Sequence, residues 1–289
     1  MTIGFYDAHI HFYFSSPPED LKRIFNQLSG IGLTGFNALV FAEFPDDIRT
    51  VYKMVPRIFH KGISLTVLEN QKNPFPYFAW AKPLKVIPYV DSRFIGSGIE
   101  EKMKRFKERG FQGIKLLYVP EADDFMQMEG MADAFGWSLK EAEAITARLI
   151  DSASSQGMCV LLHADLRRYG DFVKEMIVSH RSTNFNIPHF GFSRKTISHF
   201  LETCPNCYTD TSGLVPFMEE DPLSYRGFIE EYQDRIIFGS DAFIVEPEHV
   251  DACRKFVERL TDNPETFHKL IYKNYEEFHG ITHMHSIAE

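Results

Sequence analysis

Cysteine is scarce in this 289-residue chain: Cys159, Cys204, Cys207 and Cys253 are too few and too scattered for a disulfide framework. Cys204-x-x-Cys207 has no second pair to complete a zinc ribbon, so the cysteines read as structural. No apolar run approaches the roughly 20 residues that a membrane span needs. The first residues carry neither a basic n-region nor an apolar h-region, and a cytoplasmic enzyme is the default expectation. Basic blocks are missing as well: no run of Lys and Arg exceeds two residues, and the formal net charge is −9. That balance excludes a nucleic-acid backbone or an anionic membrane surface as partner, since both call for a basic patch. There is no Gly-x-Gly-x-x-Gly after the first strand and no P-loop, which removes the commonest nucleotide-binding folds.

What is present is an alternation. Short apolar, β-branched or aromatic runs predict strands over 3–11, 35–42, 85–90, 113–118, 158–163, 186–190, 207–211 and 235–241. Between them, helices are predicted over 18–28, 98–109, 138–155, 171–180, 193–203, 223–233, 246–260 and 264–278. The third of these opens with a capping-box pattern at Ser138 and Glu141. Strands alternating with helices imply a parallel sheet covered by helices. Eight strands in about 240 residues fit a closed (β/α)8 barrel, and one barrel of roughly 250 residues plus insertions accounts for the whole chain 1–289 as a single domain. Two connections, 60–84 and 119–137, are long enough to act as lids. The tail 282–289 reads as disordered, and His279, His283 and His285 read as surface residues.

Barrel active sites lie at the C-terminal ends of the strands, and four polar features fall there. Asp7-Ala8-His9-Ile10-His11 ends the first strand, and its histidines at i and i+2 share a face and can share a metal. His163 closes the fifth strand, His189 the sixth and Asp241 the eighth. A lone His-x-His is common by chance in a chain with 12 histidines. Polar residues ending four apolar strands are not, because burying them costs energy unless they are paired or hold a metal.

The pieces DAHIH, GIKLL, LLHAD, PHFG, YTDTSG, FGSD and NYEEFHGI run in order from Asp7 to Ile281. Together they resemble the amidohydrolase superfamily, specifically its amidohydrolase-2, or amidohydrolase-related, branch. The resemblance implies a (β/α)8 barrel holding one divalent metal, Zn²⁺ or alternatively Mn²⁺, through His9, His11, His163 and Asp241. It places His189 beside the metal as ligand, base or electrostatic partner, and makes Asp241 and His189 the catalytic pair. Three neutral imidazoles and a carboxylate suit zinc. Lys115 sits where some superfamily members carboxylate a lysine to bridge two metals; this branch usually leaves it unmodified.

Lys115, Arg93 and Arg167 are the candidate substrate-binding cations, and an anionic small molecule is the expected partner. The expected activity is metal-dependent hydrolysis of an ester, lactone or amide. A decarboxylase of the same branch is the alternative, followed by a metal-free lactonase and a non-catalytic barrel. Enzymes of this fold often dimerise, so a homodimer is also expected.

Overall fold

The protein is described here as a computed structural model covering residues 4–124 and 126–281. Its parallel strands are β1 (Phe5–His11), β2 (Leu33–Val40), β3 (Lys85–Asp91), β4 (Gly113–Leu117), β5 (Cys159–His163), β6 (Phe185–Ile187), β7 (Cys207–Asp210), β8 (Ile236–Ile237) and β9 (Ala242–Phe243). They form one sheet in the order β8-β7-β6-β5-β4-β3-β2-β1-β9. The last two segments are a single eighth staple of the barrel, interrupted at 238–241. Across that interruption Ala8 N donates to the Phe238 carbonyl at 2.9 Å, and Asp241 N to the His9 carbonyl at 3.0 Å. The sheet thereby curls into the single-domain (β/α)8 barrel that the alternation predicts.

Alternate strand residues serve the two faces. Phe5, Phe36, Val90, Ile114, Val160 and Phe185 face outward into the helix layer. Tyr6, Leu39, Tyr89, Leu161, Tyr208 and Ile237 fill the barrel interior. Burial on both sides is why the strands read as nearly continuous apolar runs.

Several boundaries differ from those predicted. The sixth strand stops at Ile187 instead of reaching 190, because Pro188 supplies no N–H and the chain then enters left-handed backbone at His189, Phe190, Gly191 and Phe192. The helix expected at 171 begins at Leu166, since the Asp165 side chain caps it by accepting from Arg167 N at 2.9 Å. The predicted helix 264–278 is a succession of α, π and α segments, Pro264–His268, Lys269–Lys273 and Asn274–Phe278. The long connections are built rather than open: helices Leu65–Gln71 and Phe75–Phe78 lie in the first, and Gly130–Phe135 in the second. The capping box at Ser138 and Glu141 forms as expected.

The N-terminal end of the barrel is closed by the last helical segment. Tyr275 stacks on Tyr6 at 4.4 Å and its hydroxyl donates to Asn37 Oδ1 at 2.7 Å. His279 is no surface residue: it is partly buried, its Nδ1 donates to the Tyr275 carbonyl at 2.9 Å, and its Nε2 accepts from the Tyr89 hydroxyl at 3.0 Å. His283, His285 and the tail 282–289 lie outside the described residues. Among the described residues no helix is long and apolar enough to cross a membrane, and all four cysteines are free.

Candidate metal centre

The site begins at the bend in β1. Between Asp7 and Ile10 the register with β2 shifts, and the shift is held by Asp7. Its Oδ1 accepts from His9 N at 2.9 Å and from Ser240 N at 3.1 Å, tying the first strand to the eighth. Burial pushes the Asp7 carboxyl up to about 7, against the lowering effect of those hydrogen bonds.

Beyond the bend, His9 and His11 converge on Asp241. The Nε2 atoms of both rings lie 3.2 Å from Asp241 Oδ1, and the three donor atoms fall within 4.8 Å of one another. Two imidazole nitrogens and a carboxylate oxygen at this spacing fit a divalent cation of the zinc type, leaving room for a further ligand and water. Asp241 reaches its place through left-handed backbone, φ +64°, a conformation that Asp tolerates better than most residues. Its side chain is 33% exposed, so the group opens to solvent on the Asp241 side.

The remaining histidines stand close by. The His189 ring centroid is 5.3 Å from that of His9 and 5.0 Å from that of His163. His163 lies outside the three-atom group but faces the same interior. Burial, then the neighbouring Lys115 and His189, hold its imidazole well below the usual histidine range, hence neutral and able to ligate. Burial and Lys115 likewise push His9 down to about 4, against the pull of Asp241 and Asp210. For Asp241 burial opposes ionisation, yet the surrounding histidines keep it well below the usual carboxylate range. Neutral rings beside an ionised carboxylate are the protonation states that metal ligation requires.

Lys115 is fully enclosed, with Nζ 3.3 Å from His9 Nε2. Burial lowers it to about 8, although Asp241 and Asp91 favour its charge. The two arginines are engaged with their own neighbours. All three guanidinium nitrogens of Arg93 already donate, Nε and one terminal nitrogen to Asp91 at 2.9 and 2.6 Å, and the other to the Met54 carbonyl at 2.8 Å. Arg167 pairs with its own helix cap, Asp165, at 2.8 Å and is 62% exposed. Asp165 is thus occupied as a helix cap.

Two neighbours of the site were not among the candidates. Asp210 and Ser212, in the YTDTSG stretch, contact His9 directly, with Asp210 Oδ2 3.2 Å and Ser212 Oγ 3.1 Å from its Nδ1. Their i, i+2 spacing at a strand end is the same signal that marks His9 and His11. An apolar wall also flanks His11: the Phe243 ring lies 5.6 Å from it and packs against Tyr13 at 5.8 Å and Phe59 at 4.8 Å.

The family model described as amidohydrolase matches residues 6–281. No curated protein matches the chain. Among solved structures, an uncharacterised TIM-barrel protein from Bordetella bronchiseptica shares 12% identity with a TM-score of 0.59, over 96% of this chain and 98% of that one. A phosphotriesterase homology protein from Escherichia coli, complexed with phosphate in its active site, shares 10% at 0.56, over 96% and 99%. A 5-methylcytosine deaminase from Klebsiella pneumoniae shares 11% at 0.60, over 95% and 74%. At such identities the likeness speaks for the fold. The family match spans nearly the whole described barrel, and on it this chain belongs to the amidohydrolase family, as a metal-dependent hydrolase of that superfamily.

Proposed function

We propose that the chain hydrolyses an ester, lactone or amide of a small molecule, using water activated at one divalent ion, zinc in the first instance, held by His9, His11, His163 and Asp241. The observation that carries this reading is the meeting of His9 Nε2, His11 Nε2 and Asp241 Oδ1 in one group. Held by these residues, a divalent ion would supply Lewis acidity, polarising a carbonyl and lowering the pKa of a water to about 7.

The residues do the rest. Asp241, ionised and partly exposed, takes the proton from the attacking water and returns it to the leaving group. His189 donates Nδ1–H to the Ser212 carbonyl at 2.7 Å, so its Nε2 is a proton acceptor. There it accepts a hydrogen bond from the second hydrogen of the attacking water and orients it. Lys115 supplies positive charge inside the pocket for an anionic substrate. The Phe243, Tyr13 and Phe59 wall receives an apolar part of the same molecule.

Elemental analysis of untagged protein beside a His9→Ala/His11→Ala variant tests the reading. About one equivalent of metal per chain, absent from the variant, supports it; a wild-type chain that takes up no divalent ion removes it. With metal present, ¹⁸O from water appearing in an acyl product supports hydrolysis, whereas CO2 release without that label moves the assignment to a decarboxylase.

A further inference from the structure

Asp210 is wholly buried at the end of β7 and accepts from every side. Its Oδ2 faces His9 Nδ1 at 3.2 Å and Asn186 Nδ2 at 2.8 Å. Its Oδ1 accepts from Ser212 N at 3.1 Å, from His189 N at 3.2 Å and from the Ser212 hydroxyl. Ser212 Oγ, with its proton committed to that carboxylate, lies 3.1 Å from His9 Nδ1 and 2.9 Å from His189 Nδ1, and can only accept from them.

The proton inventory then closes. Around His9 Nδ1 stand two acceptors, a carboxylate oxygen and a hydroxyl, whereas Nε2 faces the Asp241 carboxylate at 3.2 Å and also the Lys115 ammonium at 3.3 Å, a donor that needs a lone pair there; Nδ1 therefore carries the hydrogen and Nε2 the lone pair. His189 Nδ1 faces the Ser212 carbonyl and the same hydroxyl, with the same result. We infer that Asp210 is the positioning residue of this site: acting on His9 directly and on His189 through Ser212, it fixes both tautomers so that each Nε2 remains an electron-pair donor. The inference rests on the metal reading above for its consequence, but the tautomers themselves do not depend on it. Carboxylates behind ligand histidines typically change metal affinity 10- to 100-fold when altered.

Asp210→Asn makes the point sharply. Three donors converge on the Oδ1 position, so the amide oxygen must stay there and the NH2 must face His9 and Asn186. Asn186 Oδ1 lacks a hydrogen-bond partner, so a flip of that amide receives one of the new hydrogens. The other points at His9 Nδ1 and drives its proton to Nε2, where it blocks ligation.

The experiment is ¹⁵N NMR of histidine-labelled, metal-free protein at pH 7.5, with His9 and His189 assigned from His→Gln variants, joined to Zn²⁺ titration against a chromophoric chelator. The expected result is protonated Nδ1 on both rings of the wild type, a reversed His9 tautomer in Asp210→Asn, and zinc affinity 10- to 100-fold weaker in that variant. An Nε2-protonated His9 in the wild type overturns the inference without the Asp210→Asn variant having to fold. So does an Asp210→Asn protein that binds zinc as the wild type does with its His9 tautomer unchanged. If the wild type binds no zinc, the metal reading fails and the NMR arm alone decides: a reversed tautomer in Asp210→Asn upholds the positioning role, and an unchanged one overturns it.

Discussion

Asp241 donates its backbone N–H to the carbonyl of His9 at 3.0 Å, so the bond that closes the barrel also joins two residues of the site. Replacing the carboxylate therefore tests chemistry and fold separately. Asp241→Asn keeps a residue suited to φ +64° and should retain its melting temperature while turnover falls at least about 100-fold. Asp241→Ala should lose as much turnover and a further 1–2 kcal/mol or so of stability for the left-handed backbone. Paired activity assays and thermal melts distinguish the two.

Gly213 has little room to change. Its φ is +65°, and a Cβ there would stand 3.3 Å from Asp241 Oδ2 and 3.4 Å from His189 Nδ1. Gly213→Ala is expected to cost about 1–2 kcal/mol in backbone strain and to lower turnover roughly 10-fold or more by displacing those side chains. A variant with wild-type turnover contradicts that placement.

Arg93 is expected to act on stability. It forms a two-bonded pair with Asp91 in which both side chains are at most 5% exposed, and its guanidinium lies over Phe41 at 4.8 Å. Arg93→Ala strands a buried carboxylate and should cost about 3–5 kcal/mol, read as a lower denaturant midpoint. A raised KM with unchanged stability would instead make it a substrate contact.

His279 predicts a pH dependence on the far side of the barrel. Burial lowers it from 6.5 to about 4, against the bond to the Tyr275 carbonyl. The unfolded chain therefore binds a proton there that the folded chain does not, between those two values. Its stabilising contribution is complete above pH 6.5 and is lost as pH falls toward 4, with a slope of up to about 1.4 kcal/mol per pH unit. Urea midpoints of wild type and His279→Gln should diverge at pH 7 and converge toward pH 4.5; parallel curves dispose of the assignment.

The barrel was legible because parallel strands buried on both faces must be apolar throughout, and the runs ending at His11, His163 and Ile237 are. Where reading failed, local chemistry had overruled periodicity. Pro188 cut the sixth strand, and Asp165, not the apolar pattern after Gly170, set the start of its helix. His9, His11 and Asp241 were visible as polar ends of apolar strands. Asp210 and Ser212 carried the same spacing without a histidine in the pair, and that they meet His9 shows only once the barrel has closed. The engagement of Arg93 with Asp91 is a three-dimensional fact: both lie within three residues, yet only the curl of β3 shows that the guanidinium turns back.

The tyrosine floor has a consequence for how the molecule comes into being. The Tyr6 hydroxyl meets Glu276 Oε1 at 3.1 Å, across a separation of 270 residues, and its ring meets Tyr275. Contacts that distant bear a large loop-closure entropy and form late. A nascent chain that has made seven strands still presents its aromatic interior to water, and holds His9 without Asp241. Asp241 and the segment 264–278 both follow the seventh strand in the chain, so the floor and the candidate metal group are both expected to be completed only after the earlier strands have paired.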